Sequence, residues 1–132
     1  SEQLSPGRGC LTEPMVADLV ARHLAAGSGL FLSNSMPVRD MDAYAGGVLP
    51  GPSPPLSLVA VNRGASGIDG VLSTAIGYSA GLDRGVTLLI GDMALLHDLN
   101  SLYALRNALP STGSSSQRQS PPPPPVCIVL VN

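Results

Sequence analysis

Four short apolar runs, each closing on polar residues, constrain the fold of this chain more than any other feature. Gly29 to Ser33 leads into Asn34-Ser35, and Ser57 to Val61 into Asn62-Arg63; Val86 to Ile90 precedes Gly91-Asp92, and Val126 to Val131 precedes Asn132. Their length suits strands, and Val86 to Ile90 is almost wholly apolar, as a strand covered on both faces must be. Helical patterns fill the gaps. Thr12 is placed to act as an N-cap, with Glu13 and Pro14 favouring the first turn. Val16, Leu19, Val20, His23 and Leu24 recur at helical spacing, with His23 read as a packed residue, and Gly27 supplies a stop. A short helix is expected around Arg39 to Ala45, and a small-residue-rich, closely packing helix from about Ile68 to Leu82. Leu95, Leu96, Leu99, Leu102 and Leu105 mark one more amphipathic helix. Alternating strands and helices predict an α/β domain, a Rossmann-like parallel sheet with flanking helices and right-handed crossovers. Ligands of such sheets bind beyond the carboxyl ends of the strands, so the four polar ends are expected to share one edge.

At 132 residues the chain is long enough for one domain with a core, residues 1–132, and too short for two of ordinary size. Only 3% of residues are aromatic and 12% charged, so Val, Leu, Ala and Gly carry the pattern, which suits a layered α/β fold over a bundle or sandwich. A net charge of −2 without a Lys/Arg cluster speaks against nucleic-acid binding. No apolar stretch approaches the roughly 20 residues of a membrane span. Cys10 and Cys127 match no zinc or redox spacing and read as free or buried thiols. The chain lacks an initiating methionine and any secretory or transit signature, and it stops directly after an apolar run; it reads as a fragment of a longer protein. Gly46 to Pro55 is a glycine/proline connector. Ser111 to Pro125 is a low-complexity insertion that cannot bury a core, ending in five prolines with polyproline II character. It reads as a solvated surface loop, with an SH3-type ligand as the alternative.

Chemistry concentrates in Asn62-Arg63-Gly64-Ala65-Ser66-Gly67-Ile68-Asp69-Gly70 and in Gly91-Asp92. The glycines allow tight turns and close approach to a ligand. Their spacing is not the dinucleotide fingerprint, and the Lys-Ser/Thr pair of a P-loop is absent. Arg63 can fork onto a carboxylate or phosphate. Asp92, just past an apolar strand, suits Mg²⁺ carrying a diphosphate. Blander roles exist for each: Arg39 in a surface ion pair with Asp40 or Asp42, Arg63 as a loop brace, Asp92 as an N-cap, Ile68 as core. His97 and Asp98 read as structural. Ser35 has no neighbouring His and is not an activated nucleophile.

Asn34-Ser35-Met36-Pro37-Val38-Arg39-Asp40, the Asn62 to Gly70 run with Ser73-Thr74-Ala75, and Gly91-Asp92 with His97-Asp98-Leu99-Asn100-Ser101-Leu102 occur in order. Together they closely resemble the MenD family, the thiamine-diphosphate-dependent 2-succinyl-5-enolpyruvyl-6-hydroxy-3-cyclohexene-1-carboxylate synthases of menaquinone and phylloquinone biosynthesis. The resemblance spans Leu11 to Asn132 apart from the insertion, and implies part of the domain that binds the cofactor's diphosphate. It implies an enzyme that decarboxylates 2-oxoglutarate and adds the succinyl carbanion to isochorismate, with Mg²⁺ or Mn²⁺ as the metal. Ser35, Arg39 and Arg63 match substrate-binding positions. Ile68 matches the apolar residue supporting the cofactor's bent conformation, Gly91, Asp92, Met93 and Ala94 its diphosphate site, and Asp92 also a metal ligand. Asp92 and Asn132 are 40 positions apart, and removing the insertion restores the family's spacing, so Asn132 matches the first of two asparagines. The activating glutamate belongs to a separate domain supplied across a dimer interface. The resemblance therefore implies no catalytic residue within this chain, inactivity of the fragment alone, and a full-length homodimer or homotetramer. It implies a plastid location for a plant or algal source and a cytoplasmic one for a bacterial source. The alternatives are another thiamine-dependent decarboxylase or carboligase, or a degenerate, non-catalytic binding module.

Overall fold

Period-two burial along the strands generates two apolar layers from one sheet. The structure, a computed structural model, describes residues 10–45, 58–62, 67–107 and 124–132. The glycine/proline connector, Arg63 and nearly all of the Ser/Pro-rich stretch lie outside the described residues. Chain order is α1 (Glu13–His23), β1 (Gly29–Leu32), α2 (Met36–Tyr44), β2 (Val59–Val61), α3 (Val71–Leu82), β3 (Val86–Gly91), α4 (Asp92–His97), a 3₁₀ turn (Leu99–Ser101), α5 (Leu102–Asn107) and β4 (Val126–Val131). All pairings are parallel, in the spatial order β2-β1-β3-β4.

Leu30, Leu32 and Leu89 pack with Ala17 and Ala21 of α1 and Met41 of α2 on one face. Phe31, Leu88 and Ile90 pack with Val71, Leu72 and Ala75 of α3 and Ala94 of α4 on the other. Register agrees with this division, since Leu32 pairs with Leu89 and Phe31 with Leu88. Each fully buried Leu or Ile contributes roughly 1.5–3 kcal/mol. This is the expected Rossmann-like α/β arrangement, with β1 and β3 central. Gly29 permits the close approach of α3, because a Cβ there would lie 3.0 Å from both Leu82 Cδ1 and Val86 Cγ2. No helix among the described residues is long and apolar enough to cross a membrane.

Several boundaries differ from the pattern in the sequence. Thr12 is the N-cap of α1 with extended backbone, but its side chain makes no capping bond. His23 is exposed rather than packed, its Nδ1 lying 2.9 Å from Leu19 O. Helix α2 begins at Met36, ahead of Arg39, because Pro37 suits a first helical turn. Helix α3 begins at Val71, since Gly70 adopts left-handed backbone (φ 69). Its closely packed small residues are Ala75 and Ser79, whereas Gly77 and Gly81 face open space. The leucine-rich helix starts at Asp92 and breaks at Asp98, leaving Leu96 62% exposed and Leu99 and Leu102 also exposed. Asn and Ser at 100 and 101 favour local side-chain bonds over helix, and Ser101 Oγ donates to Asp98 Oδ1 at 2.6 Å. Both cysteines are free and exposed.

Candidate functional site

The sheet order opens a crevice between the carboxyl ends of β1 and β3. From β1 the chain passes through α2 to β2 on one side, and from β3 through α4 to β4 on the other. Such a parting of connections is where open α/β sheets bind ligands. A cleft of about 250 Å³ lies there, lined by Ser35, Ile68, Gly91, Asp92, Met93 and Ala94. Asn132 at the end of β4, Asn34 and Glu13 line it as well. Six of the eight residues singled out from the sequence thus meet in one place.

Ser35 caps α2 at φ 70, ψ −128, a region that side-chain-bearing residues rarely occupy. Such strain costs about 1–3 kcal/mol and gathers at functional sites. Before it stands Asn34, only 8% exposed. Its Nδ2 donates to Gly67 O at 2.9 Å, fastening Gly67 to the end of β1. Its Oδ1 is buried without a hydrogen-bond partner among the described residues.

Gly91 is the extended N-cap of α4, and the space a Cβ would take there is open. Asp92 follows as the first helical residue rather than the cap, its Oδ1 accepting the Met93 N–H at 2.7 Å. Asp92, Glu13 and Asn132 offer the cleft oxygen atoms, and among the described residues no His or Cys lines it. That donor set suits a hard cation such as Mg²⁺ or Mn²⁺ over zinc. Among the described residues no group of three or more His, Cys, Asp or Glu surrounds one point. A cation held by Asp92 would therefore complete its shell with water or ligand oxygens, as Mg²⁺ does with phosphates. The open backbone at Gly91 leaves room for such an anionic group, so the residues present fit a metal–diphosphate pair.

A second clamp sits behind the cleft. Asp98 Oδ2 accepts the Ser73 N–H at 3.0 Å, capping α3 from outside that helix. Burial pushes the Asp98 carboxyl up, but hydrogen bonds from the Ser101 hydroxyl and from the backbone N–H groups of Ser73 and Leu72 outweigh it and hold it below its usual value. At the same helix start, Ser73 Oγ and Thr74 Oγ1 donate to Gly70 O at 3.0 and 2.6 Å, and Asn62 Nδ2 donates to Thr74 Oγ1 at 3.3 Å. The structural reading of Asp98 holds at the level of contacts; His97 is exposed.

Arg39 lies on α2 one turn beyond Ser35, exposed and outside the lining of the cleft. Among the described residues it forms no ion pair, and neighbouring Asp40 is buried. Arg63 lies outside the described residues. Glu13 and Asn34 were not singled out as site residues by the sequence. Asn34 carried the only signal, its place at a polar strand end; Glu13 read simply as a first-turn acid.

No family model matches the chain. It is 52% identical over 101 residues to the 2-succinyl-5-enolpyruvyl-6-hydroxy-3-cyclohexene-1-carboxylate synthase of Prosthecochloris aestuarii, a match covering 74% of this chain and 16% of the relative. The proteins of the same name from Chlorobium limicola and Rubrobacter xylanophilus are 52% and 55% identical over 101 and 96 residues, each match covering 73% of this chain. The chain spans about one sixth of the length of these curated relatives, with matches covering 16% or 17% of each.

Proposed function

Since the chain belongs to the 2-succinyl-5-enolpyruvyl-6-hydroxy-3-cyclohexene-1-carboxylate synthase family, we propose that it is the diphosphate-binding part of a thiamine-diphosphate-dependent synthase of menaquinone or phylloquinone biosynthesis. The carrying observation is that Ser35, Ile68, Gly91, Asp92, Met93 and Ala94 line one cleft at the switch point of the sheet. The substrates are 2-oxoglutarate and isochorismate. Bound thiamine diphosphate would supply the electron sink for loss of CO₂.

This chain's own residues bind and orient. Asp92 would hold Mg²⁺, with Mn²⁺ as a substitute, and backbone groups from Gly91 to Ala94 would receive the diphosphate. Ile68, 42% exposed beside the cleft, would offer the cofactor an apolar surface. Ser35, Arg39 and Arg63 bind the substrates' carboxylates, a task suited to a hydroxyl and two forked cations. Activation of the cofactor falls to a glutamate from another domain, in a homodimer or homotetramer of the full-length protein, so the chain alone is inactive. The protein works in plastids if its source is a plant or alga and in the cytoplasm if bacterial.

The test is CO₂ release from 2-oxoglutarate by the full-length protein, with isochorismate, thiamine diphosphate and Mg²⁺ each omitted in turn. Turnover that needs every component, and collapses in Asp92→Ala and Arg39→Ala, is expected. Tight Mg²⁺-dependent cofactor binding without turnover would point to another thiamine enzyme. Absence of binding would leave a non-catalytic module.

A further inference from the structure

We infer that Asn34 is a ligand-binding residue: its buried Oδ1 accepts a hydrogen bond from a donor on whatever fills the cleft, while its Nδ2 holds Gly67. The two ends of this amide are bound unequally. Nδ2 has a partner at 2.9 Å, and that bond fixes which end is oxygen. Among the described residues Oδ1 is buried and unpartnered, on a residue 8% exposed that lines the cleft. Buried polar atoms are almost always paired, and an orphan calls for a missing group. That group must donate. Next to it, Ser35 keeps a backbone conformation (φ 70) whose cost the fold carries without any visible gain of its own. Both departures from ordinary geometry are adjacent, on the same rim.

The donor's chemistry is an N–H, an O–H, or a water held by a cation. A diphosphate has only acceptors when ionised, so it does not itself satisfy Oδ1. Two sources remain if the cleft takes Mg²⁺ and thiamine diphosphate, the part of this inference that rests on the proposed function. One is a metal-bound water, since Mg²⁺ commonly keeps several; the other is an N–H or O–H of the organic portion. In either case Asn34 links ligand to loop, so filling the cleft fastens the Gly67 end of the glycine-rich stretch more firmly.

Calorimetric titration of the full-length protein with two probes, Mg²⁺–pyrophosphate and Mg²⁺–thiamine diphosphate, separates these sources. Asn34→Leu removes the acceptor, and the melting temperature of each ligand-free protein is recorded alongside. We expect roughly five- to hundred-fold weaker binding, with a ligand-free melting temperature lowered by only a few degrees: the acceptor itself had no partner to lose, and the variant gives up one hydrogen bond, from Nδ2 to Gly67 O. Weakening of both probes assigns the donor to metal-bound water; weakening of thiamine diphosphate alone assigns it to the organic portion. Unchanged affinity for both probes overturns the inference, as does a loss matched by a collapsed ligand-free fold. Asn34→Ala serves if leucine does not pack, and failure of both variants to fold makes Asn34 a structural residue. Wild-type protein that binds neither probe overturns the functional reading and this inference together; wild-type binding with unaffected variants overturns only this one.

Discussion

Replacing Asp98 by alanine should loosen the start of α3, and with it the Gly67 to Gly70 segment. The substitution removes the carboxylate cap on the Ser73 N–H at 3.0 Å and the bond from Ser101 Oγ at 2.6 Å. Loss of a helix cap costs about 0.5–2 kcal/mol, and a hydrogen bond to a charged group contributes about 1.5–3 kcal/mol. Water reaches Asp98, which is only partly buried, and it can solvate the groups left behind, so about 2 kcal/mol in total is expected. Asp98→Asn keeps an uncharged acceptor and should lose about half of that. Urea unfolding followed by far-UV circular dichroism across the acid range distinguishes charge from shape. The folded carboxyl titrates below the ordinary aspartate value, so the ionised form is the stabilising one. Its contribution is fully present above the unfolded value and disappears as the pH falls through the lower folded value. The gap between wild type and Asp98→Asn should therefore be constant at neutral and mildly acid pH and close in strong acid. A gap that persists in strong acid, or Asp98→Ala as stable as wild type at neutral pH, would refute the reasoning.

Two glycines should respond oppositely to alanine in the same assay. Gly77→Ala fills open space in a helix and should stabilise by about 0.5–1 kcal/mol, whereas Gly29→Ala drives a methyl against Leu82 and Val86 and should cost about 1–3 kcal/mol. Ser35→Gly relieves the strained backbone at φ 70 and should match or exceed wild-type stability by about 1 kcal/mol. The same variant should bind 2-oxoglutarate more weakly, and a stability loss in the urea midpoint would show that the conformation carries no strain. Excising residues 111–123 should leave turnover of the full-length protein within about two-fold, because loop length costs little; abolished activity would make the proline tract functional.

The sheet was readable because its information is local. Strand runs such as Val86 to Ile90 can satisfy period-two burial only between two helical layers, and the polar pair after each run marks the edge where the chain turns back. Placement of Asp92 and Ser35 at adjacent strand ends followed from topology alone. Helix starts were harder, since each was decided by one backbone torsion, at Ser35 before α2 and at Gly70 before α3. The break at Asp98 was hidden for another reason: leucine spacing continues through it, while the competing bonds come from Ser101 and from Ser73, the latter 25 residues earlier in sequence.

What sequence cannot carry is the state of satisfaction of a polar atom. Asn34 and Asn62 look alike as polar strand ends, yet they differ in the fold. Asn62 donates to Thr74 within an exposed hydrogen-bond set, so water can complete whatever the protein leaves open. Asn34 is enclosed, one end tied to Gly67 and the other left without a partner. Only the second arrangement leaves an enclosed acceptor for a ligand to satisfy. Substitution at the two positions should separate accordingly. Asn62→Ala should lower stability by about 1 kcal/mol or less and leave affinity for the Mg²⁺–diphosphate probes unchanged. Equal loss of affinity in Asn62→Ala and Asn34→Ala would mean that burial of the orphan oxygen is not what binds, and that the polar rim acts only as a whole.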